Sequence, residues 1–389
     1  MPVKRSILFG LAMALQFAAM VVESVAAQDA PVIWPGVNGK PARRFTLPAP
    51  ELTIGTAAGP EPTRFAGVVG AARLSSGEIV IGDAGSNRIL FFDAAGRYLR
   101  AAGRAGDGPG EYRLLRWLGA CADGTIGAYD PAHTSITFVA PTGRVQGTLK
   151  TPAWVGFDTP LACLDSASLI MLFNQIRVRV TPGQHVAAPT AVVRIRGPLA
   201  VDTITSAGVQ DYYVAKLLGA SSDVPLGRST LAAVGTSRVF VVAGGQATVA
   251  VYDTSGAKKG DFPIKLARQR VTRRDWDQAR RSRLDAEPLA RSRKPLSLVL
   301  AELDEPDDFP PVDQIRADSD DNLWIKTFDN YQTGIATWLI VSSAGSPRAV
   351  MAAPRGLRIL EIRGGYLLGV MADADGTERV TLHRLASIH

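Results

Sequence analysis

The feature that most constrains the fold of this chain is a sequence pattern that recurs along it. Its clearest copy lies between Leu74 and Arg104, where β-rich runs are separated by polar turns that contain glycine. Short strands joined by such turns form an antiparallel meander. Similar units begin at Cys121, Cys163, Ala233, Ala317 and Glu361. The pattern therefore predicts six small sheets in one chain.

A closed ring would bury the faces of these sheets. A single meander leaves both faces exposed, whereas sheets stacked around a ring bury them and protect the end units. Each unit gains a fourth, inner strand from segments such as Ala66–Arg73, Leu114–Ala120 and Val312–Arg316. The last unit is one strand short, because the chain ends soon after Glu378–Leu385, so we expect a strand from Arg43–Ile54 to complete it. An open twisted sheet and two β-sandwiches are the alternatives.

Several segments resemble a known family. The residues of DAGSNRILFFDAAGRYL that match the pattern of an NHL repeat are Asp83, Gly85, Asn87, Arg88, Ile89, Phe92, Asp93 and Gly96. Gly103–Tyr112, Phe309–Ile325 and the stretch from Gly364 onward are similar to exported six-bladed β-propellers of the NHL-repeat-like and TolB-like superfamily. The resemblance implies an all-β, six-bladed β-propeller over residues 43–389, with four-stranded blades and a last blade closed by an N-terminal strand. A helical insertion, residues 266–309, is expected between blades four and five.

The first residues predict export. A short basic pair, Lys4-Arg5, precedes an apolar run that ends at Val22, and small residues follow. This layout predicts a signal peptide over residues 1–27, cut near its last residue, and then a linker over residues 28–42. The apolar run is shorter than the roughly 20 residues that span a bilayer, which disfavours an uncleaved membrane anchor. We therefore expect a periplasmic or secreted protein with no transmembrane segment after signal removal.

Basic charge is concentrated in the predicted insertion. Between Lys265 and Lys294, eleven Lys or Arg residues stand against four acidic residues. Thr272 and Asp275 have the spacing of a capping box, which predicts the start of a helix. The candidate partner-binding residues on this helix are Arg273, Arg274, Arg280, Arg281 and Arg283. They could bind an acidic partner or an anionic membrane surface; the alternative is a solvated helix paired with nearby acids such as those of Glu302–Asp308.

The two cysteines, Cys121 and Cys163, occupy corresponding positions in neighbouring units. Neighbouring sheets place such positions side by side, and export permits oxidation. A disulfide is therefore one interpretation, and it requires Cα atoms within roughly 7 Å of each other. The alternative is a pair of buried small hydrophobic side chains.

The remaining motifs are weak. The glycine-rich loop 106–110 could bind an anion through backbone N–H groups, but a tight crossover between sheets needs the same glycines. Turn acids could converge on a metal ion or simply cap their own turns; these are Asp123, Asp165, Asp320, Asp321, Asp373 and Asp375. The four histidines show no metal-binding spacing, and the chain has no GxSxG motif.

A strong repeat pattern without a catalytic motif favours a monomeric, non-catalytic propeller that binds a protein, peptide or glycan in the cell envelope. Nucleic acid is not expected as a partner, because the basic charge is local and the chain is exported. No cofactor is expected, apart from a structural or catalytic divalent cation. Related six-bladed rings hold metal sites, so the resemblance implies an alternative, a metal-assisted hydrolase or lactonase at the central tunnel. Capture of a small molecule or sugar at the tunnel mouth is a third hypothesis.

Overall fold

The computed structural model describes residues 43–155, 158–174, 181–206, 208–216, 221–287, 290–328 and 334–386. The predicted signal peptide and linker lie outside these residues. Strands dominate the described chain, so the all-β prediction is confirmed. None of the helices in the described ranges is long and apolar enough to cross a lipid bilayer.

The described residues form six sheets, numbered one to six in chain order. They are preceded by β1 (Arg43–Thr46), β2 (Leu52–Ile54) and a 3₁₀ turn (Glu61–Thr63). Sheet one contains β3 (Val68–Arg73), β4 (Ile79–Asp83), β5 (Arg88–Phe92) and β6 (Tyr98–Ala102). Sheet two contains β7 (Trp117–Ala120), β8 (Ile126–Asp130), β9 (Ser135–Val139) and β10 (Val145–Lys150). Sheet three contains β11 (Thr159–Asp165), β12 (Ser168–Asn174), β13 (His185–Ile195), β14 (Val201–Thr205), β15 (Val209–Val214) and β16 (Ser221–Asp223).

The second half of the chain contains the other three sheets and both described helices. Sheet four contains β17 (Leu231–Val234), β18 (Arg238–Val242), β19 (Thr248–Asp253) and β20 (Lys258–Pro263). The helices that follow it are α1 (Arg273–Asp285) and α2 (Ala290–Ala301). Sheet five contains β21 (Gln314–Ala317), β22 (Leu323–Lys326), β23 (Ile335–Val341) and β24 (Pro347–Pro354). Sheet six contains β25 (Arg358–Arg363), β26 (Tyr366–Ala372) and β27 (Glu378–Arg384). The helical insertion therefore lies between sheets four and five, as predicted.

The first strands of consecutive sheets lie beside one another. β3 contacts β7, β7 contacts β11, β11 contacts β17, and β17 contacts β21. Gly70 of β3 approaches β7 so closely that a Cβ atom there would lie 2.1 Å from the carbonyl oxygen of Leu118. Only glycine allows this approach of two backbones. Between sheets two and three, the N–H of Ala122 donates to the carbonyl oxygen of Leu164 at 3.2 Å.

Sheet six contacts both sheet five and sheet one. The N–H of Ser319 donates to the carbonyl oxygen of Ile362 of β25 at 3.1 Å. On the other side, the carboxylate of Glu378 accepts the N–H groups of Gly67 and Val68 at 2.9 and 2.6 Å. Both residues lie at the start of sheet one, so the first and last sheets of the chain are in contact.

The N-terminal segment forms two strands rather than the one expected from Arg43–Ile54. β2 pairs antiparallel with β27, which confirms that an early strand completes the last sheet. β1 instead pairs parallel with β24, so sheet five has five strands and not four. Pro48 and Pro50 lie between β1 and β2. Proline has no N–H to donate, so the chain leaves one sheet before it enters the next.

Sheet three also departs from the four-stranded prediction, because it contains six strands. β13 is long enough to pair twice. Its C-terminal half pairs with β12, and its N-terminal half continues past the end of β12 and pairs with β15. Sheet three therefore includes an extra β-hairpin, β15–β16, that was not predicted from the sequence.

The helix α1 begins as its sequence predicts. The N–H of Asp275 donates to the hydroxyl of Thr272 at 3.3 Å, and the Asp275 carboxylate accepts the N–H of Thr272 at 3.0 Å, which confirms the capping box. Trp276 and Ala279 are buried in a small core together with Tyr213 of β15 and leucines of α2. The helices therefore pack on the extra hairpin of sheet three.

Polar contacts join the same two insertions. Glu302, just after α2, accepts hydrogen bonds from the Tyr213 hydroxyl and the Lys216 N–H, both at 3.0 Å. Arg283 of α1 donates to the carboxylate of Asp223 in β16 at 2.7 Å. Two segments that are far apart in sequence thus form one cap, defined as β15–β16 with α1–α2.

The structure joins Cys121 and Cys163 in a disulfide, with their Cα atoms 4.6 Å apart. Cys121 follows β7 and Cys163 lies in β11, so the bond connects the first-strand regions of sheets two and three. Both side chains are buried in the core that these sheets share.

We predict that the double variant Cys121→Ala, Cys163→Ala loses about 4 kcal/mol of unfolding free energy, because the bond closes a loop with a sequence separation of 42 in the unfolded chain. Urea unfolding of the oxidised proteins measures the difference. The control is a reductant, which should lower the unfolding free energy of the wild type and leave that of the variant unchanged. Two titratable thiols in unfolded, unreduced wild type would contradict the assignment.

Candidate functional site

A cavity of about 440 Å³ lies between the first strands of sheets three, four and five, where β11, β17 and β21 begin. We call it the lower cavity. Leucine, isoleucine and alanine side chains form its apolar walls, and Thr230 of sheet four adds a hydroxyl group. Its charged and amide side chains are Asp158, Asn174, Asp313, Gln314, Arg316 and Lys326. Polar groups of three sheets therefore meet at one end of the inner strands.

Sheet three differs from sheets one and two where its second strand ends. Asp83 and Asp130, the last residues of β4 and β8, accept the N–H groups of Ala66 and Arg113 at 2.8 and 2.7 Å. These bonds fix the chain that enters each first strand. The last residue of β12 is Asn174, and its Oδ1 is buried with no hydrogen-bond partner in the described part of the chain. The repeated structural acid is thus replaced by an amide at the wall of the lower cavity.

Asp158 lies beside this amide. Its Oδ1 accepts the backbone N–H of Asn174 at 3.1 Å. Burial raises the pKa of Asp158 to about 7, and this one hydrogen bond offsets only part of the effect. A carboxyl group that titrates near neutral pH inside a cavity is a common feature of functional sites.

Arg316 of β21 carries a charge that no carboxylate in the described ranges neutralises. Its Nε donates to the carbonyl oxygen of Ile359 at 3.1 Å, and its Nη1 donates to that of Ile315 at 2.9 Å. Burial and the positive charge of nearby Arg358 lower the pKa of Arg316 to about 10. The guanidinium therefore remains charged at neutral pH, although its surroundings oppose the charge.

The other cation of the lower cavity is paired. Nζ of Lys326 lies 2.8 Å from Oδ2 of Asp313, so these two side chains neutralise each other. Asp158 becomes protonated as the pH falls below about 7. Under mildly acidic conditions, Arg316 is then the uncompensated charge of the lower cavity.

A second cavity of about 260 Å³, the upper cavity, lies under the cap. Its walls include Ser282 and Arg283 of α1 and the segment 224–227 that follows β16. Leu231 and Asp313 line both cavities, so the upper and lower cavities adjoin. Together they form one recess between the cap and the inner strands.

The segment that follows β16 is held rigidly. Arg228 donates two hydrogen bonds to the carboxylate of Asp211, at 3.0 and 2.9 Å, and the N–H of Gly227 donates to the carbonyl oxygen of Val224 at 2.9 Å. Leu226 adopts a φ of 57°, in the left-handed region that leucine rarely occupies. Strained backbone of this kind is typical of ligand-binding loops.

Three of the five arginines predicted to bind a partner form ion pairs within the chain. Arg273 and Arg280 lie 3.6 and 2.6 Å from the carboxylate of Asp277. Arg283 pairs with Asp223 and lines the upper cavity. This pairing agrees with the alternative of a helix balanced by its own acids.

The other two arginines, Arg274 and Arg281, are exposed. Arg281 donates to the side chain of Gln278 at 3.1 Å, and no carboxylate in the described residues pairs with either guanidinium. Binding of an acidic partner by this helix stays a prediction, and it depends on these two residues.

The weaker motifs have local structural roles. In the loop 106–110, the N–H of Gly108 donates to the Glu111 carboxylate at 2.8 Å, so the chain supplies its own anion. Two of the turn acids cap their own turns, since Asp123 accepts the N–H of Thr125 at 3.0 Å and Asp373 that of Thr377 at 2.9 Å. Asp321 instead accepts the N–H of Ser237, the residue before β18, at 3.0 Å. Across the described ranges, no group of three or more His, Cys, Asp or Glu side chains could hold a metal ion.

Sequence analysis identified none of the charged and amide side chains of the lower cavity. One signal was present, because aligning the ends of the second strands would have placed Asn174 where Asp83 and Asp130 stand. Nothing comparable identifies Arg316, since whether a first-strand residue faces the cavity depends on how the sheets pack.

No protein-family model matches this chain, and no curated protein matches it in sequence. Among solved structures, a member of the DUF4221 family from Bacteroides vulgatus is similar over 86% of this chain and 96% of that chain, with 8% identity and a TM-score of 0.53. A Bacteroides fragilis protein described as exported matches 89% of this chain and 99% of its own, with 11% identity and a TM-score of 0.47. A gluconolactonase from Xanthomonas campestris matches 89% and 99%, with 11% identity and a TM-score of 0.43. At 8% identity the similarity to the DUF4221 structure shows the fold alone, a β-propeller.

We predict that Asp158→Asn changes how stability depends on pH. Because the pKa of Asp158 rises from 3.8 to about 7 on folding, the unfolded chain releases this proton first. Wild-type stability should therefore fall as the pH rises between about 4 and 7, and this part of the slope should disappear in the variant. Thermal unfolding of both proteins between pH 4 and 8 measures it.

Asp373→Asn serves as the control, because its effect on the pH dependence of stability should have the opposite sign. Arg379 lowers the pKa of Asp373, so this variant should lose stability at neutral pH and regain wild-type behaviour as the pH falls. If the unfolding temperatures of wild type and Asp158→Asn changed with pH in the same way, the pKa of Asp158 would not be raised by folding.

Proposed function

We propose that this protein is an exported, closed six-bladed β-propeller that binds a ligand, without catalysis, in the recess beneath its cap. The observation that carries the proposal is the pair of adjoining cavities, the upper of which is walled by two insertions that pack on each other. Ligand pockets combine apolar walls with a few oriented polar groups, and the recess has this composition. A glycan, a peptide segment or a small molecule could enter it.

The contacts between sheets support the ring. First strands of consecutive sheets touch from sheet one to sheet five, and sheet six contacts both sheet five and sheet one. β2 completes sheet six, so each of the six sheets has at least four strands. In sheet one, Asp83 of the NHL-like pattern fixes the entry to β3. These features are those expected of the NHL-like exported propellers that the sequence resembles.

Export through the signal peptide 1–27 predicts a defined N-terminus. The mature protein recovered from the periplasm or medium should begin near Gln28, as intact mass spectrometry would show. Deletion of residues 2–27 should leave the protein in the cytoplasm, where reducing conditions disfavour the Cys121–Cys163 bond. An intact N-terminus on membrane-bound protein would indicate an anchor instead.

A metal-assisted hydrolase or lactonase is the alternative function. It would use the same recess, with Asp158 as the residue best suited to accept or donate a proton near neutral pH. No group of metal ligands in the described residues favours it over binding. The two functions differ in whether a bound compound is consumed.

Binding in the recess predicts that Gln246→Trp blocks a ligand without unfolding the protein. Gln246 is exposed and lines the upper cavity, so a larger side chain fills the entrance. Thermal unfolding with a panel of glycans, peptides, lactones and esters should reveal compounds that stabilise the protein. A ligand at a concentration a hundredfold above its Kd should raise the unfolding free energy by about 2.7 kcal/mol. Gln246→Trp should abolish this stabilisation.

Thr142→Trp is the matched control, because Thr142 lies in an exposed turn that lines neither cavity. It should bind as wild type does. Chromatography of the mixture would show whether a lactone or ester has been consumed. Consumption would mean that the protein is a hydrolase and not a binding protein. Equal binding by wild type and Gln246→Trp would place the ligand outside the upper cavity.

A further inference from the structure

The chemistry of the lower cavity indicates which class of ligand it takes. Partial burial of a guanidinium is unfavourable unless hydrogen bonds and an opposite charge compensate for the lost hydration, and Arg316 is partly buried. Arg316 has two carbonyl acceptors, through Nε and Nη1, and no carboxylate partner within the described residues. Its Nη2 is left for a group in the cavity.

The surroundings of Arg316 leave this charge uncompensated. Lys326 and Asp313 form an ion pair at 2.8 Å, and Arg358 repels a further positive charge. Asp158 hydrogen-bonds the Asn174 N–H, and no Lys or Arg of the described chain pairs with it. An anion that entered the cavity would supply the missing counter-charge.

The charge and polarity of the walls limit the kind of anion. Lys326 pairs with Asp313, so Arg316 is the one uncompensated positive charge that the described residues place in the cavity, and a single negative charge matches it better than a doubly charged group such as phosphate. The amide of Gln314 has no hydrogen-bond partner in the described residues, and Asn174 Oδ1 is unpaired as well. Unpaired amides on the wall suit a ligand with hydroxyl groups.

We propose that Arg316 binds the carboxylate of a small hydroxylated acid, such as a sugar acid, and that Gln314 and Asn174 hydrogen-bond its hydroxyl groups. The proposal rests on the recess being a ligand site and names the class of ligand. Nη2 of Arg316 would donate to a carboxylate oxygen, and this charge-assisted hydrogen bond is the main source of specificity.

D-Galacturonate and D-galactose are matched probes, since they differ in the carboxylate and share most hydroxyl groups. Titration calorimetry at constant ionic strength should show that wild type binds galacturonate at least tenfold more tightly than galactose. Arg316→Gln should weaken galacturonate binding by about 10- to 100-fold, the range expected for a hydrogen bond to a charged group. Galactose binding should change little.

Arg196→Gln is the matched control, because Arg196 pairs with Asp202 away from both cavities. It should bind galacturonate as wild type does. Unliganded Arg316→Gln should unfold at or above the wild-type temperature, since the variant loses an uncompensated charge. A lower unfolding temperature together with unchanged galacturonate binding would make Arg316 a purely structural residue.

The outcomes separate this proposal from the proposed function. Equal binding of galacturonate and galactose, both blocked by Gln246→Trp, would keep the recess as a ligand site and overturn the role of Arg316. Tighter binding of inorganic phosphate than of galacturonate would overturn the carboxylate assignment. Failure of galacturonate to bind wild type would overturn the sugar-acid class, while binding of another panel compound would still support the recess.

Discussion

The contact between sheet six and sheet one is the interaction on which the rest of the arrangement depends. Glu378 of β27 holds the N–H groups at the start of β3, and Arg358 of β25 donates to the carbonyl oxygen of Val68 at 2.6 Å. The two sheets also share a buried apolar core. Because sheet six also contacts sheet five, this interaction places the first sheet of the chain beside the last one.

Much of the fold could be predicted because the repeat pattern is local. Strand, turn and helix-cap residues act on their own neighbours, so the units, the capping box at Thr272 and the helical insertion all follow from the sequence. The errors concern pairing partners. β1 pairs with β24 because the prolines before β2 interrupt the strand. β13 pairs with β15 because it is long enough to extend past the end of β12. Partner choice depends on distant segments, which periodicity does not report.

The site could be predicted far less well. Charge clustering indicated the arginines of α1, yet Arg273, Arg280 and Arg283 form ion pairs with nearby acids. The residues of the lower cavity carry no sequence motif. Asp158 and Arg316 are distinctive only through burial and the absence of a charge partner, and both properties arise where the first strands of sheets three, four and five meet.

The construction of the cap bears on how the recess would select a ligand. Trp276 and Tyr213 give the cap a core of its own, and Glu302 and Arg283 attach the helices to the hairpin. A wall that is already ordered does not have to lose conformational entropy when a ligand enters. The cap therefore gives the upper cavity an ordered wall, whereas discrimination between similar compounds would fall to the charges of the lower cavity. Because Lys326 is held by Asp313, Arg316 is the cation through which the lower cavity can distinguish an acid from the corresponding neutral sugar.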